Sequence, residues 1–204
     1  MMDDKGLLIV ISGPSGTGKG TLCKELLRKN PDIHISISAT TRLARKGEKD
    51  GKSYFFVSQE KFNDMIDGDE LLEHARVYDN YYGTPKKYVL EMLKKGKDVL
   101  LEIDTIGALQ IKEKYRDGVF IFILPPSLME LENRITGRGT ESKEDIKKRL
   151  AAAIEEIKRI KHYDYAVVNE HIRTAIDDIE AIIRAEKCKI TRNIDAFDYL
   201  IKEG

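Results

Sequence analysis

The chain has 204 residues, with 35 Lys and Arg against 35 Asp and Glu, so its formal charge is zero although 34% of its residues are charged. That balance excludes a large basic tract for nucleic acid and an acidic tail, and 41% apolar residues exclude a disordered chain. The longest apolar runs, Leu7 to Ile11 and Val119 to Leu124, are far shorter than the roughly 18 to 20 residues of a membrane span. No membrane partner and no nucleic-acid partner are expected. Met1-Met2-Asp3-Asp4-Lys5 lacks the basic start and long apolar stretch of a secretory signal, so the expected location is the cytoplasm. The cysteines, Cys23 and Cys188, form no Cys-x-x-Cys pair and read as structural thiols.

In chain order, short apolar runs alternate with segments of helical period. Leu7 to Ser12 reads as a strand, Lys19 to Lys29 as a helix, and Val99 to Asp104 and Val119 to Leu124 as further strands. Thr84-Pro85 reads as an N-cap followed by proline at the first helical position, with Gly96 closing that helix. Such alternation predicts a parallel sheet covered by helices.

Two regions interrupt it. Residues 36 to 84 hold short β-rich pieces, Tyr54 to Val57 and Leu71 to Val77, between Gly and charge clusters, and read as a small inserted subdomain. Residues 129 to 160 hold a helix ending near Gly137, a Gly-Arg-Gly turn and a charged helix from about Ser142. In that helix Ile146, Leu150, Ala153, Ile154, Ile157 and Ile160 follow 3/4 spacing and predict one inward face.

The most specific local signal is Gly13-Pro14-Ser15-Gly16-Thr17-Gly18-Lys19-Gly20-Thr21, set between an apolar strand and a helix. This is the order of a P-loop. Glycines let consecutive N–H groups turn inward around an anion at a helix N-terminus, and Lys19 adds a point charge for the outer phosphates. Gly20 stands where Ser or Thr usually offers Mg²⁺ a hydroxyl, and Thr21 follows one place later. The expected ligand is a nucleoside triphosphate.

A P-loop does not name its acceptor. Ser36 to Glu48 with its continuation through Gly51 to Tyr54, Leu72-Glu73, Tyr81-Tyr82-Gly83-Thr84-Pro85, Glu102-Ile103-Asp104 and Gly137-Arg138-Gly139-Thr140-Glu141 together closely resemble guanylate kinases, in unbroken order over about residues 5 to 187. The resemblance implies an α/β P-loop three-layer fold with a parallel sheet core, an inserted β-rich nucleotide-acceptor subdomain and a helical lid. It divides the chain into core 5–35, 85–128 and 161–187, GMP-binding subdomain 36–84 and lid 129–160, with 188–204 as a C-terminal extension. In that extension Ile190, Ile194, Phe197, Leu200 and Ile201 have near-helical spacing, for packing on the core or on a second subunit. Oligomeric state stays open.

Residues matching the family's acceptor site are Arg42, Arg45, Tyr54 and Tyr82 for the GMP phosphate, and Ser38, Glu73, Thr84 and Asp104 for the guanine. The chemistry agrees: two arginines three apart give forked charge-assisted hydrogen bonds, and the phenols add donors. A carboxylate such as Glu73 accepts from guanine N1–H and N2–H₂, whereas adenine would leave it unpaired, at about 1 to 3 kcal/mol. Tyr81 either packs or contributes to the site. Glu102 and Asp104, at i and i+2 of one strand, are expected on one face at the ligand crevice, Glu102 near the Mg²⁺ water shell.

Arg134, Arg138 and Arg149 resemble lid arginines that surround the transferred phosphoryl group; Arg134 and Arg149 alternatively pair with neighbouring Glu on an exposed helix. Asn169 matches a position near the adenine of ATP, or caps a turn. The reaction so implied is MgATP-dependent phosphorylation of GMP, and of dGMP, to the diphosphate with ADP as co-product. The alternatives are a phosphopeptide-binding module of the same family without catalysis and a P-loop kinase for another small phosphate acceptor.

Overall fold

The computed structural model describes residues 5–77, 79–137 and 143–193. In chain order they form β1 (Leu8–Ser12), α1 (Lys19–Lys29), β2 (His34–Ile35), β3 (Ala39–Thr40), β4 (Phe55–Phe56), α2 (Gln59–Asp67), β5 (Leu71–Val77) and β6 (Asn80–Pro85). There follow α3 (Lys86–Lys94), β7 (Val99–Glu102), α4 (Thr105–Lys114), β8 (Val119–Leu124), α5 (Leu128–Thr136), α6 (Lys143–Ile157), a 3₁₀ turn (Lys158–His162), β9 (Tyr165–Val168) and α7 (Ile172–Lys187).

Five strands make a parallel sheet in the order β2-β7-β1-β8-β9. Its strands are nearly continuous apolar runs because both faces are covered. Alternate residues separate the two layers: Ile9, Ile11, Ile121 and Ile123 pack with Leu22 and Leu26 of α1 and Ile176, Ile179 and Ile183 of α7. Leu8, Val10, Val99, Leu101 and Phe120 face the other way, against Val89 of α3 and Ala108 and Ile111 of α4. The expected α/β three-layer core is therefore present.

A second sheet, β4-β3-β6-β5, is mixed. β3 pairs parallel with β4 and antiparallel with β6, and β5 pairs antiparallel with β6. Ala39, Phe62, Met65 and Leu71 form its small core. The β5/β6 register shifts between Leu71, opposite Pro85, and His74, opposite Gly83. Leu72 and Glu73 thus oppose the single residue Thr84, which is a β-bulge. As a result Leu71, Leu72 and Glu73 are buried in succession, against the alternation of a regular strand.

Two local readings are corrected. Thr84 is not an N-cap and Pro85 is not the first helical residue: both belong to β6, Pro85 is the cap of α3, and no side chain caps that end. The hydroxyl of Thr84 is instead committed to Glu73. The strand expected over Val99 to Asp104 ends at Glu102. Asp104 caps α4, accepting from the N–H groups of Ile106 at 2.7 Å and Gly107 at 3.0 Å.

In the helical hairpin, Leu131 and Ile135 of α5 bury against Ala153, with Ile146 and Leu150 alongside. Ile154 departs from the expected inward face and is 38% exposed. Arg138 to Ser142 lie outside the described residues, as do Ile194, Phe197, Leu200 and Ile201 of the extension. Ile190 is 67% exposed. Of the thiols, Cys23 is buried in the core and Cys188 is exposed.

Candidate active site

The loop between β1 and α1 forms the first wall. Gly16 and Gly18 have φ of 94° and 86°, a left-handed region that side-chain-bearing residues rarely enter, and Gly18 is the cap from which α1 starts. The loop is braced from inside: buried Thr17 donates its hydroxyl to the Pro14 carbonyl at 2.9 Å. Asn169, 4% exposed after β9, donates to the Thr17 carbonyl at 2.8 Å. A Cβ at Gly18 would come within 2.6 Å of the Asn169 amide, so Asn169 touches the loop itself.

Lys19 donates to the carbonyls of Gly13 and Pro14, folded along its own loop. Burial lowers its pKa, opposed by the nearby Glu102 and Glu156 carboxylates. Burial pushes Glu102 upward, opposed by Lys19. Glu156 of α6 behaves likewise, raised by burial and opposed by Lys19. Arg149 donates to the Ser15 hydroxyl at 2.8 Å. Arg134 follows the other course and donates within α5 to Glu130, one helical turn away, at 2.8 Å.

The second sheet supplies the opposite wall. Arg42 donates to both Glu48 carboxylate oxygens, at 3.0 and 2.9 Å, and to the Leu43 carbonyl at 2.7 Å. Its guanidinium lies 5.4 Å from the centre of the Tyr54 ring, and Tyr54 meets Tyr82 edge-on at 6.0 Å. Glu48 also accepts from the Arg45 N–H at 2.7 Å, so one carboxylate organises the turn that carries both arginines. The Arg45 residue itself is exposed. Tyr81 packs on Phe62 in the small core.

Glu73 is 2% exposed. Thr84 donates to one of its oxygens at 2.6 Å. Burial, reinforced by the Asp104 carboxylate and resisted by the Thr84 hydrogen bond and Lys114, pushes its pKa to about 7. The bulge in β5 is what turns this carboxylate inward.

A cleft of about 520 Å³ joins the two walls. Gly13, Ser15, Gly16, Gly18, Lys19, Gly20 and Thr21 line one side, Ser38, Tyr54, Glu73 and Tyr82 the other, with Glu102 and Asp104 between them. Sequence reasoning missed Glu156, Val77 and Ile103 in this lining. Glu156 was legible only as one more acid on a charged helix. Glu48 stood inside the quoted motif without a role.

A phosphate cradle opening onto a side-chain-lined acceptor pocket on an inserted sheet defines a P-loop phosphotransferase. Residues 5–186 match the family model described as guanylate kinase. The guanylate kinase of Clostridioides difficile is 59% identical over 94% of this chain and 94% of its own. That of Halalkalibacterium halodurans is 52% identical over 99% of both chains. The crystal structure of guanylate kinase from Anaplasma phagocytophilum superposes with a TM-score of 0.79 at 40% identity, over 93% of this chain and 90% of that one. The chain belongs to the guanylate kinase family.

Proposed function

We propose that this protein is an ATP:GMP phosphotransferase that moves the γ-phosphoryl group of ATP to a phosphate oxygen of GMP or dGMP, giving ADP and the diphosphate. The observation that carries the reading is the shared cleft, with Lys19 and the loop amides on one side and Glu73 and the two phenols on the other. The acceptor oxygen is already anionic, so no general base is needed, and rate comes from positioning and charge neutralisation.

In this reading the amides of residues 13 to 21 and Lys19 hold the triphosphate, and Arg42, Arg45, Tyr54 and Tyr82 hold the GMP phosphate. Ser38, Glu73, Thr84 and Asp104 read the guanine. Arg134 and Arg149 serve the transferred group when the hairpin of α5 and α6 closes, and Asn169 steadies the loop near the adenine. ATP, used in stoichiometric amount, makes the cytoplasm the setting.

The residues fit a magnesium ion held largely by phosphates and water. Mg²⁺ at nucleotide sites is bound through one or two carboxylates, water and the substrate phosphates, so a dedicated cage of protein ligands is not required. Glu102, an acceptor-only carboxylate, faces the cradle beside Gly20, where a Cβ would stand 3.4 Å from its oxygen. Glu102 and the Thr21 hydroxyl would hold the ion through its waters. The ion so held would supply charge neutralisation at the nucleotide phosphates.

The test is ADP release with ATP and, in turn, GMP, dGMP, AMP, CMP, UMP and dTMP. A preference for the guanine nucleotides on the order of 5- to 150-fold in kcat/KM is expected from the unpaired-carboxylate cost of about 1 to 3 kcal/mol. Equal rates with the other acceptors, or no turnover at all, would overturn the reading.

A further inference from the structure

Gly107 is the third residue of α4, buried, with an ordinary helical backbone and no positive φ. Alanine is the better helix former at such a place, so the backbone gives no reason for glycine. The reason lies across the interface. A Cβ at Gly107 would stand 2.2 Å from one Glu73 carboxylate oxygen and 2.8 Å from the carboxyl carbon.

Neither backbone has room to retreat. Gly107 is fixed through its N–H to Asp104, and the next turn of α4 is anchored by Ala108 and Ile111, which are fully buried. On the other side Thr84 holds the second Glu73 oxygen. β5 is tied to α4 by Lys114, donating to the Leu72 carbonyl at 3.0 Å, and by Gln110, which bonds the His74 backbone in both directions. What would yield to a methyl group is the far end of the Glu73 side chain, the part that accepts from guanine.

We propose that Gly107 is a specificity-determining positioning residue, whose missing side chain is the space in which the Glu73 carboxylate lies flat against α4. It also links the base-reading carboxylates physically, since its Cα touches Glu73 while its N–H caps onto Asp104. The proposal rests on the assignment of Glu73 to guanine. A methyl group here alters base reading while leaving the fold and the phosphate cradle intact.

The experiment compares wild type, Gly107→Ala, Glu73→Asp and the double variant of the full chain, with GMP and IMP as acceptors. IMP keeps N1–H and lacks the 2-amino group. For Gly107→Ala, KM for GMP should rise on the order of 10- to 100-fold, as for a lost charge-assisted hydrogen bond, and the preference for GMP over IMP should shrink. KM for ATP should stay within about twofold and the melting temperature within about 3 °C.

Aspartate withdraws the carboxylate by one methylene, so adding Gly107→Ala to Glu73→Asp should cost less than about threefold, a non-additive result. A wild-type KM and preference in Gly107→Ala would overturn the proposal. So would effects that multiply in the double variant, or a general loss of kcat, ATP affinity and melting temperature together. If Gly107→Ala alone fails to fold, folding of the double variant supports the clash with Glu73, and failure of both overturns it. A wild type with no preference for GMP over IMP would instead defeat the guanine assignment itself.

Discussion

The two walls of the cleft are built by different means. The donor wall is one run of residues, 13 to 21, a backbone loop shaped by glycine conformations and braced by Thr17 and Asn169 from behind. The acceptor wall is assembled from Ser38, Arg42, Tyr54, Glu73, Tyr82 and Asp104, which come from several loops and strands of the second sheet and from the start of α4. A polyphosphate is the same whatever base it carries, and main-chain donors suffice for it. A particular base needs side chains, and these bring buried charge. That is why the carboxylate pushed to about 7 belongs to the acceptor wall.

The comparison breaks most sharply at Lys19. Lys19→Ala removes the cation of the donor wall and should lower kcat on the order of 10³-fold, the scale of one charge-stabilising donor. GMP binding to the ATP-free protein, followed by calorimetry, should change less than about twofold, because Lys19 donates to carbonyls of its own loop and not to the acceptor sheet. A comparable loss of GMP affinity would mean that the two walls are not independent.

Glu73→Gln tests the cost of reading a base. It should reduce the preference for GMP on the order of 10²-fold, because an amide cannot accept from both guanine donors. The same change should stabilise the protein at alkaline pH. The folded-state pKa is raised from 4.5 to about 7, so the folded chain holds a proton that the unfolded chain has released. Stability from this group is therefore present at low pH and lost as pH rises from about 4.5 to 7, by about 3 kcal/mol in total. Melting curves of wild type and Glu73→Gln should coincide near pH 4.5 and separate above pH 7, the variant melting higher. In wild type, KM for GMP should fall as pH rises through 7, and this dependence should vanish in the variant.

How legible each wall was follows from the same contrast. The donor wall could be read directly, since a contiguous motif fixes its own backbone and needs only a strand before it and a helix after it. The parallel sheet was legible for a similar reason: unbroken runs such as Val119 to Leu124 betray burial on both faces. The acceptor wall became legible through family resemblance, and its mechanics did not. No sequence period announces the bulge that turns Glu73 inward. Thr84-Pro85 carries a helix-start pattern that the pairing of β6 overrides, and Asp104 reads as a strand residue until α4 claims it as a cap. These are decisions made between segments far apart in the chain.

Arg42→Ala probes the acceptor phosphate grip. It removes a bidentate guanidinium held by Glu48 and should raise KM for GMP about 30-fold, within the range for hydrogen bonds to charged groups. Its kcat at saturating GMP should change less, and KM for ATP should not move. Glu48 retains solvent access, so melting should shift only slightly.

The smallest effect concerns how the acceptor sheet is fastened to the core. Gln110 on α4 behaves like one residue of an added strand: its amide accepts from the His74 N–H at 3.3 Å and donates to the His74 carbonyl at 2.9 Å. Gln110→Ala deletes both bonds and leaves two backbone groups at a position where His74 is exposed. Water replaces the lost partner, so the stability cost should be about 1 kcal/mol, one ordinary net hydrogen bond, instead of the penalty of buried unsatisfied groups. The Leu72 carbonyl keeps its bond to Lys114 and Glu73 keeps Thr84, so GMP affinity should hold within about twofold. Chemical denaturation and GMP titration on the same sample separate these outcomes. A large loss of GMP affinity with little loss of stability would make Gln110 part of the base-reading geometry, and the boundary of the acceptor wall would then extend one turn further along α4.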